Sequence, residues 1–427
     1  MLKIISSLAI TLMLAAPVAL QAQNSPTLNL DDLVAEALRN NPQLQSAQNN
    51  MAAAKTEIEQ RSSWDAPQVG IEFYQTPLQS FPDPLKNSME TDYFVQQMIP
   101  FPGKLSAMGK SAESSANMAE QQYVALEQKI IRDVKSAYFE LYLVQHKIQI
   151  NLDNQDLMKR FVDIAGKQYE VGMGNQADVL RAQTELSVLI NEGINLQKEK
   201  KVVESMINTD LNRKTNAPLG NVPDLDNALP QWTFEQLGPI ALKNRPELKE
   251  MNSAIEMNKA ELSLSKREYY PDIMANVMYK NISNTKNDFW SAMIGVNIPM
   301  AFWSSGKYTA KVQENELNVD KAENDLSSMN NMVLFEVQDA LVKVESNQSL
   351  VLLYKNTTIP QAKETLQAML SVYQTGKTEF LMVLDAYRMQ LTAELDYYMA
   401  VMNYRSSQAQ LEQAVGLDIA HISESVQ

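Results

Sequence analysis

The chain contains one stretch twice. Tyr169-Glu-Val-Gly-Met-Gly-Asn-Gln-Ala-Asp-Val-Leu-Arg-Ala182 returns, 204 positions later, as Tyr373-Gln-Thr-Gly-Lys-Thr-Glu-Phe-Leu-Met-Val-Leu-Asp-Ala386. Each copy lies between two helical patterns, and its glycine permits the left-handed backbone conformation that ends a helix. Because self-similarity at a fixed spacing indicates a structural repeat, the sequence predicts a body of two similar halves.

A second pair of matching stretches opens the halves at the same spacing. Leu33-Val-Ala-Glu-Ala-Leu-Arg-Asn-Asn-Pro-Gln-Leu44 corresponds to Leu237-Gly-Pro-Ile-Ala-Leu-Lys-Asn-Arg-Pro-Glu-Leu248. Apolar residues three and four apart predict a helix here, interrupted before the proline, which disfavours helix in the preceding residue. The predicted divisions are a first repeat at 23–212, a linker at 213–232, a second repeat at 233–416 and a tail at 417–427.

Between its opening helix and its repeated turn, each half contains two segments of alternating polarity. The four segments are Gln68 to Tyr74, Tyr93 to Ile99, Ile273 to Lys280 and Phe289 to Ile298. They predict hairpins at about 67–99 and 271–299. Segments of about ten residues with a period of two are typical of membrane β-strands. Aromatic residues near their ends suit a bilayer interface.

A proline-marked corner follows each hairpin, the first being Ile99-Pro-Phe-Pro-Gly-Lys104. Apolar spacing of three and four then predicts a helix of about 68 residues up to the repeated turn, roughly 100 Å long. Pro360 predicts a kink or interruption in the second of these helices. Shorter helices return, from about Ala177 to Asn212 and from about Phe380 to Val415.

Composition limits the location and the partners. Residues 1–22 have the positive start, apolar run and small-residue cleavage site of a secretory signal peptide. No other stretch approaches 18 apolar residues, so a membrane span must consist of strands. The net charge of −14 argues against nucleic acid. No pattern of catalytic or zinc-binding residues occurs, so we expect no enzymatic activity and no cofactor.

These elements constrain the assembly. Four strands leave an open sheet whose edge amides would lack partners in lipid, and known bacterial barrels have at least about eight strands. The chain must therefore oligomerise, with two copies giving eight strands and three giving twelve. Helices of this length exceed a bilayer core of about 30 Å and must project to one side. The sequence predicts a membrane pore continued by a helical tube, with the repeated turns at its far end.

The matched motifs and the corner resemble those of the TolC-like outer-membrane efflux proteins, or outer membrane factors, over nearly all of the mature chain. The resemblance implies an α+β membrane protein and a homotrimer with a twelve-stranded β-barrel in outer-membrane lipid and a periplasmic α-helical barrel. It implies a passive exit duct for small molecules (drugs or metal ions). It further implies docking onto a periplasmic adaptor, the membrane fusion protein, and coupling to an inner-membrane pump of the RND or a similar type.

The resemblance also indicates candidate functional residues at the turns. Asp385 matches a position at which family aspartates line the periplasmic constriction, and Met382 stands where a second is often found. Asp178 is the other candidate, although an aspartate opening a helix is also explained as a cap or dipole partner. The predicted adaptor-docking surface is the set of turn residues Gly172, Met173, Gly174, Gly376, Lys377 and Thr378.

The sequence admits three further interpretations. The chain contains 23 methionines, and thioethers suit Cu(I); Met274 and Met278 would share one strand face. Methionine is more often a gap-filling core residue, so no metal site is predicted. The outer component of a type I protein secretion system would have the same duct. A soluble periplasmic coiled-coil scaffold is disfavoured by the four alternating segments.

Overall fold

The structure, a computed structural model, describes residues 27–84, 87–225, 232–283, 287–418 and 421–422. The predicted signal peptide lies outside this part of the chain. The predicted linker and the C-terminal tail lie partly outside it.

The described part of the first half contains four α-helices and two strands in the predicted order. They are α1 (Leu30–Asn40), α2 (Pro42–Ser62), β1 (Gln68–Tyr74), β2 (Glu90–Ile99), α3 (Lys104–Glu170) and α4 (Gln176–Asp210). The interruption between α1 and α2 has a local cause: the Asn41 side chain accepts hydrogen bonds from the amides of Gln43 and Leu44, at 2.9 and 3.4 Å. Strand β2 begins three residues before its predicted start, and α4 ends two residues before its predicted end.

The second half repeats this order with one difference. Its elements are α5 (Phe234–Asn244), α6 (Pro246–Arg267), β3 (Ile273–Ile282), β4 (Phe289–Val296), α7 (Ser305–Leu353), α8 (Ile359–Gln374) and α9 (Phe380–Val415). Helix α3 runs unbroken for 67 residues. Its counterpart is divided into α7 and α8 by a π-helical turn at Tyr354–Thr358, next to Pro360 in the first turn of α8. The interruption predicted from Pro360 is confirmed. Strand β4 ends two residues before its predicted end.

The four strands form one antiparallel sheet in the order β1-β2-β3-β4. Strands β2 and β3 join the halves, with Tyr93 opposite Tyr279 and Val95 opposite Val277. Within the described chain, β1 pairs only with β2 and β4 only with β3. The sheet therefore ends in two open edges.

The two faces of the sheet differ sharply in polarity. One face is apolar and exposed, and its residues include Val69, Ile71, Tyr93, Val95, Val277, Trp290, Ile294 and Val296. The opposite face carries charged, amide and thioether side chains, including Glu72, Glu90, Asp92, Gln96, Met98, Met274, Asn276, Met278, Lys280 and Met293. Such alternation is the pattern of a strand with lipid on one side and water on the other.

The helices pack around two apolar clusters. The larger involves α1, α3, α5, α7 and α9 at mid-length, and the smaller lies near the repeated turns. None of the helices in the described ranges is long and apolar enough to cross a bilayer.

The described part of the predicted linker is packed against the body. Val222 donates its amide to Gln145 Oε1 at 2.9 Å, and Gln145 Nε2 donates to the Gly220 carbonyl at 3.3 Å. Trp232 is buried in the larger cluster, as is Ile422 of the tail. Composition does not predict that the linker and the tail pack against the body. Each of these contacts depends on single residues rather than on a periodic apolar face.

His146 on α3 is enclosed by aromatic rings. Its ring stacks on Tyr398 with centroids 4.1 Å apart and meets the edge of Tyr142 at 4.2 Å. Its Nε2 lies 3.7 Å from Asp224 Oδ1. Burial lowers the pKa of His146 below its ordinary value of 6.5, against the smaller opposing effect of the Asp224 carboxylate.

This shift predicts that acid destabilises the body. A histidine in the unfolded chain takes up a proton near pH 6.5, whereas folded His146 does so only at lower pH. The stabilisation that comes from neutral His146 is complete above the pKa of this histidine in the unfolded chain. It is lost as the pH falls through that value towards the lower pKa of His146 in the folded protein. We expect His146→Gln to reduce the drop in thermal unfolding midpoint between pH 7.5 and 5.5. His421→Gln, at an exposed histidine, is the control; equal drops in both variants and the wild type would contradict the prediction.

Candidate functional site

The first repeated turn joins α3 to α4 through a left-handed glycine. Gly172 has φ +73°, and the amides of Met173 and Gly174 both donate to the Gln168 carbonyl at 2.9 Å. The Asn175 side chain caps α4 by accepting from the amide of Asp178 at 3.0 Å. Asp178 therefore lies in the first turn of α4, where its charge complements the helix dipole, but it is not the cap. Of the two structural explanations for Asp178, that of a dipole partner fits its position, whereas the cap is Asn175.

The second turn joins α8 to α9 with a similar backbone conformation. Gly376 has φ +69°, its amide donates to the Tyr373 carbonyl at 2.9 Å, and the amide of Lys377 donates to the Val372 carbonyl at 3.2 Å. A side chain at either glycine would be strained, since L residues rarely adopt this conformation. The two turns thus have equivalent backbones and different side chains.

An apolar cluster holds the two helix pairs together just behind the turns. The rings of Phe161 and Tyr387 meet edge to face at 6.0 Å, and those of Tyr373 and Phe380 lie 5.3 Å apart. All four side chains are buried. The Tyr373 and Tyr387 hydroxyls have no hydrogen-bond partner among the described residues, and burial is the main reason that the pKa of each is raised.

Two polar contacts also connect the hairpins. Gln168 Nε2 donates to the Gln374 carbonyl at 2.9 Å. Arg388 on α9 contacts Glu185 on α4, with Nη2 2.6 Å from Oε2 and Nε 3.4 Å from Oε1. The hydrogen bond that Arg388 donates to the Glu185 carboxylate raises the pKa of Arg388. Residues 168–174, 372–378 and this ion pair form what we call the tip.

The structure separates the two candidate aspartates. Asp178 is buried, with Oδ1 3.9 Å from Arg181 Nη1, and its charge contributes, after burial, to the raised pKa of Tyr373. Asp385 is exposed on α9, as is Met382 one turn earlier. Only Asp385 therefore presents its carboxylate on the surface of the chain.

The six predicted docking residues all lie at the tip. Met173 is 64% exposed, and Gly172, Gly376 and Lys377 are also exposed, whereas Gly174 and Thr378 are half-buried. They form a surface at the end of the two helix pairs. The residues that sequence reasoning missed are Gln168, Tyr373, Glu185 and Arg388, because contacts between hairpins leave no signal in the period of either hairpin. In the described part of the chain, no three histidine, cysteine, aspartate or glutamate side chains are grouped as metal ligands.

Comparison with known proteins places this geometry in a family. The sequence profile of the outer membrane efflux protein family matches residues 33–201 and 237–417, which are the bulk of both halves. The chain belongs to the outer membrane efflux protein family. It is accordingly an efflux channel protein of the outer membrane, and the TolC-like fold that the resemblance implied is confirmed.

Individual relatives are distant but extend over most of the chain. The outer membrane protein TolC of Vibrio cholerae serotype O1 is 24% identical over 91% of this chain and 90% of its own length. The cobalt-zinc-cadmium resistance protein CzcC of Cupriavidus metallidurans is 22% identical over 69% of each. A crystal structure of CusC superposes with a TM-score of 0.79 at 18% identity, covering 92% of this chain and 93% of that one. That likeness shows the fold.

The Arg388–Glu185 contact gives a test of how the tip is held. Arg388→Gln leaves the Glu185 carboxylate without this cation, and an ion pair at the surface contributes at most about 1 kcal/mol. We expect hydrogen exchange in 371–388 to rise by up to about fivefold. Lys363→Gln is the matched control, since Lys363 pairs with Glu394 at 3.2 Å within the α8–α9 hairpin. Equal exchange in both variants would show that Arg388 does not hold the hairpins together.

Proposed function

We propose that three copies of the chain form a closed outer-membrane duct. The observation that carries the proposal is the open four-stranded sheet, which has one exposed apolar face and an unpaired edge at both β1 and β4. In lipid those edge groups must be paired, and β1 of one copy can pair with β4 of the next. Three copies give twelve strands, within the range of bacterial barrels.

The helices then continue the duct on one side of the membrane. Helix α3 has 67 residues, which is roughly 100 Å at 1.5 Å per residue. This length places the tips far from the sheet, in the periplasm. The exposed residues of the tip are the surface on which a periplasmic adaptor would dock, and the adaptor would link the duct to an inner-membrane pump.

Small ions and molecules are the proposed cargo. The names of two relatives point this way: a cobalt-zinc-cadmium resistance protein and the cation efflux system protein CusC of Escherichia coli. The alkaline protease secretion protein AprF of Pseudomonas aeruginosa, 19% identical over 71% of this chain, supports the alternative of protein secretion. The net charge of −14 and the exposed Asp385 favour cations.

Two measurements test the duct. Native mass spectrometry of the detergent-solubilised protein is expected to give three chains per complex, and a monomer or a dimer would contradict the closure. In planar bilayers the same preparation is expected to open cation-selective channels. A trimer that conducts no ions would support the proposed assembly. It would refute the proposal that the duct is open when no adaptor is bound.

Asp385 is the proposed constriction residue, because three copies would place three exposed carboxylates around the axis of the tip. Rings of carboxylates favour cations in channels. Asp385→Asn is expected to lower the cation-to-anion permeability ratio several-fold and to weaken block by divalent cations. Asp163→Asn removes an exposed carboxylate from α3 and is the control. Unchanged selectivity in Asp385→Asn would exclude Asp385 from the constriction.

A further inference from the structure

The polar face of the sheet carries a group of four methionines that the efflux function does not explain. They are Met98 on β2, Met274 and Met278 on β3, and Met293 on β4. The strand register places all of them on the same face as Gln96 and Asn276, opposite the exposed apolar face. In the proposed trimer this face lines the lumen, so the inference rests on the proposed function.

The register makes each of these thioethers a neighbour of at least one other, with Met98 and Met278 at opposite ends of the group. Met98 is directly opposite Met274, and Met293 is directly opposite Asn276, which lies between Met274 and Met278 on the same face of β3. Side chains directly opposite one another in a sheet have Cβ atoms about 5 Å apart, and diagonal neighbours are about 7–8 Å apart. A methionine side chain has three rotatable bonds beyond Cα, so neighbouring sulfurs of this group can converge on one ion.

Glycine makes room for one of these side chains. Gly295 is opposite Met274, and a Cβ at Gly295 would lie 3.1 Å from the Met274 methyl carbon. The Met274 side chain therefore extends across β4, on the same face as Met293 and next to it. This contact links the β3 and β4 members of the group through their side chains as well as through the register.

A buried amide at the centre of the group is incompletely satisfied. Asn276 is 4% exposed, and its Nδ2 donates to Gln96 Oε1 at 3.3 Å. Its Oδ1 is buried and has no hydrogen-bond partner in the described part of the chain. A buried acceptor without a partner is costly, and methionines are its neighbours along β3 and across β4. A cation held by the neighbouring thioethers would lie next to this oxygen and interact favourably with its dipole.

Core packing does not account for all four methionines, although Met274 and Met278 are half-buried. A gap-filling methionine is buried, whereas Met98 and Met293 are 42% and 46% exposed. Nor does lipid contact, since the lipid-facing residues are on the other face. An apolar thioether on a water-facing surface gains little from burial. The remaining property that explains methionine at these positions is the affinity of its sulfur for soft metal ions.

Acidic residues lie further along the same face. Glu72 is opposite Asp92, and Lys280 Nζ lies 2.7 Å from Glu90 Oε1 and 2.9 Å from Asp92 Oδ2. Two carboxylates contact the Lys280 ammonium and that of Glu72 lies on the neighbouring strand, so this end of the face is net negative. It would attract cations from solution to the vicinity of the thioethers.

We propose that Met98, Met274, Met278 and Met293, with Asn276 at their centre, form a reversible site for a soft monovalent cation of the Cu(I) or Ag(I) class in transit through the lumen. Thioethers are neutral donors, so the ion keeps its charge and exchanges without proton release. Hard cations such as Mg²⁺ prefer oxygen ligands and would pass without binding here.

The test is equilibrium dialysis of Ag⁺ against the purified full-length trimer in chloride-free buffer. Replacing all four methionines by leucine keeps their approximate volume and removes the sulfurs. The control replaces four exposed methionines elsewhere by leucine, namely Met300, Met332, Met389 and Met399. We expect at least a tenfold loss of affinity in the first variant and none in the control.

Equal Ag⁺ affinity in the two variants, or no binding by the wild type, would overturn the site. X-ray absorption of the bound silver decides the ligands: sulfur neighbours support the proposal, and nitrogen or oxygen neighbours alone refute it. The mass of each complex shows whether it has assembled. Because dialysis does not depend on conductance, a conducting trimer that binds no Ag⁺ refutes only the thioether site, and a non-conducting trimer refutes only the open duct.

Discussion

Unpaired backbone groups at the two edges of one sheet are the constraint on which the rest of the structure depends. A buried amide or carbonyl without a hydrogen bond costs several kcal/mol in an apolar medium, and the strands present a row of them at β1 and another at β4. The same sheet exposes an apolar face that water would not solvate well. The proposed trimer solves both problems, because other copies of the chain pair the edges, with lipid outside and the polar face within.

The duplication supplies the geometry, and the two copies differ at residues that matter for the proposed function. Equivalent positions of the two copies hold different residues: Asn41 corresponds to Arg245, and at the turns Asp178 corresponds to Met382. The first hairpin has an unbroken α3 and a buried aspartate. The second has a π-helical turn, where local helix packing is irregular, and an exposed Asp385. The second hairpin is thus the one whose features suit movement and contact with ions.

Sequence alone predicted the elements well wherever a period identified them. The alternating segments gave β1 its observed bounds, and the apolar spacing did the same for α9. It could not predict which strand positions are opposite each other, so it grouped Met274 with Met278 but omitted Met98 and Met293. It could not predict that Asp178 is buried beside Tyr373, because those residues are brought together only by packing between hairpins.

The two proposed ion contacts differ in chemistry, and this difference assigns them different roles. A carboxylate such as that of Asp385 attracts cations by charge and discriminates poorly among them, so a ring at the tip governs how readily cations enter. Thioethers interact weakly with hard ions and more strongly with soft ones, so the group around Asn276 distinguishes ions by kind. In the proposed duct an ion reaches the carboxylates first and the thioethers about one helix length later. Cations are therefore selected first by charge at the tip and then by softness at the thioethers. Substitutions at one of these places can change its selectivity independently of the other.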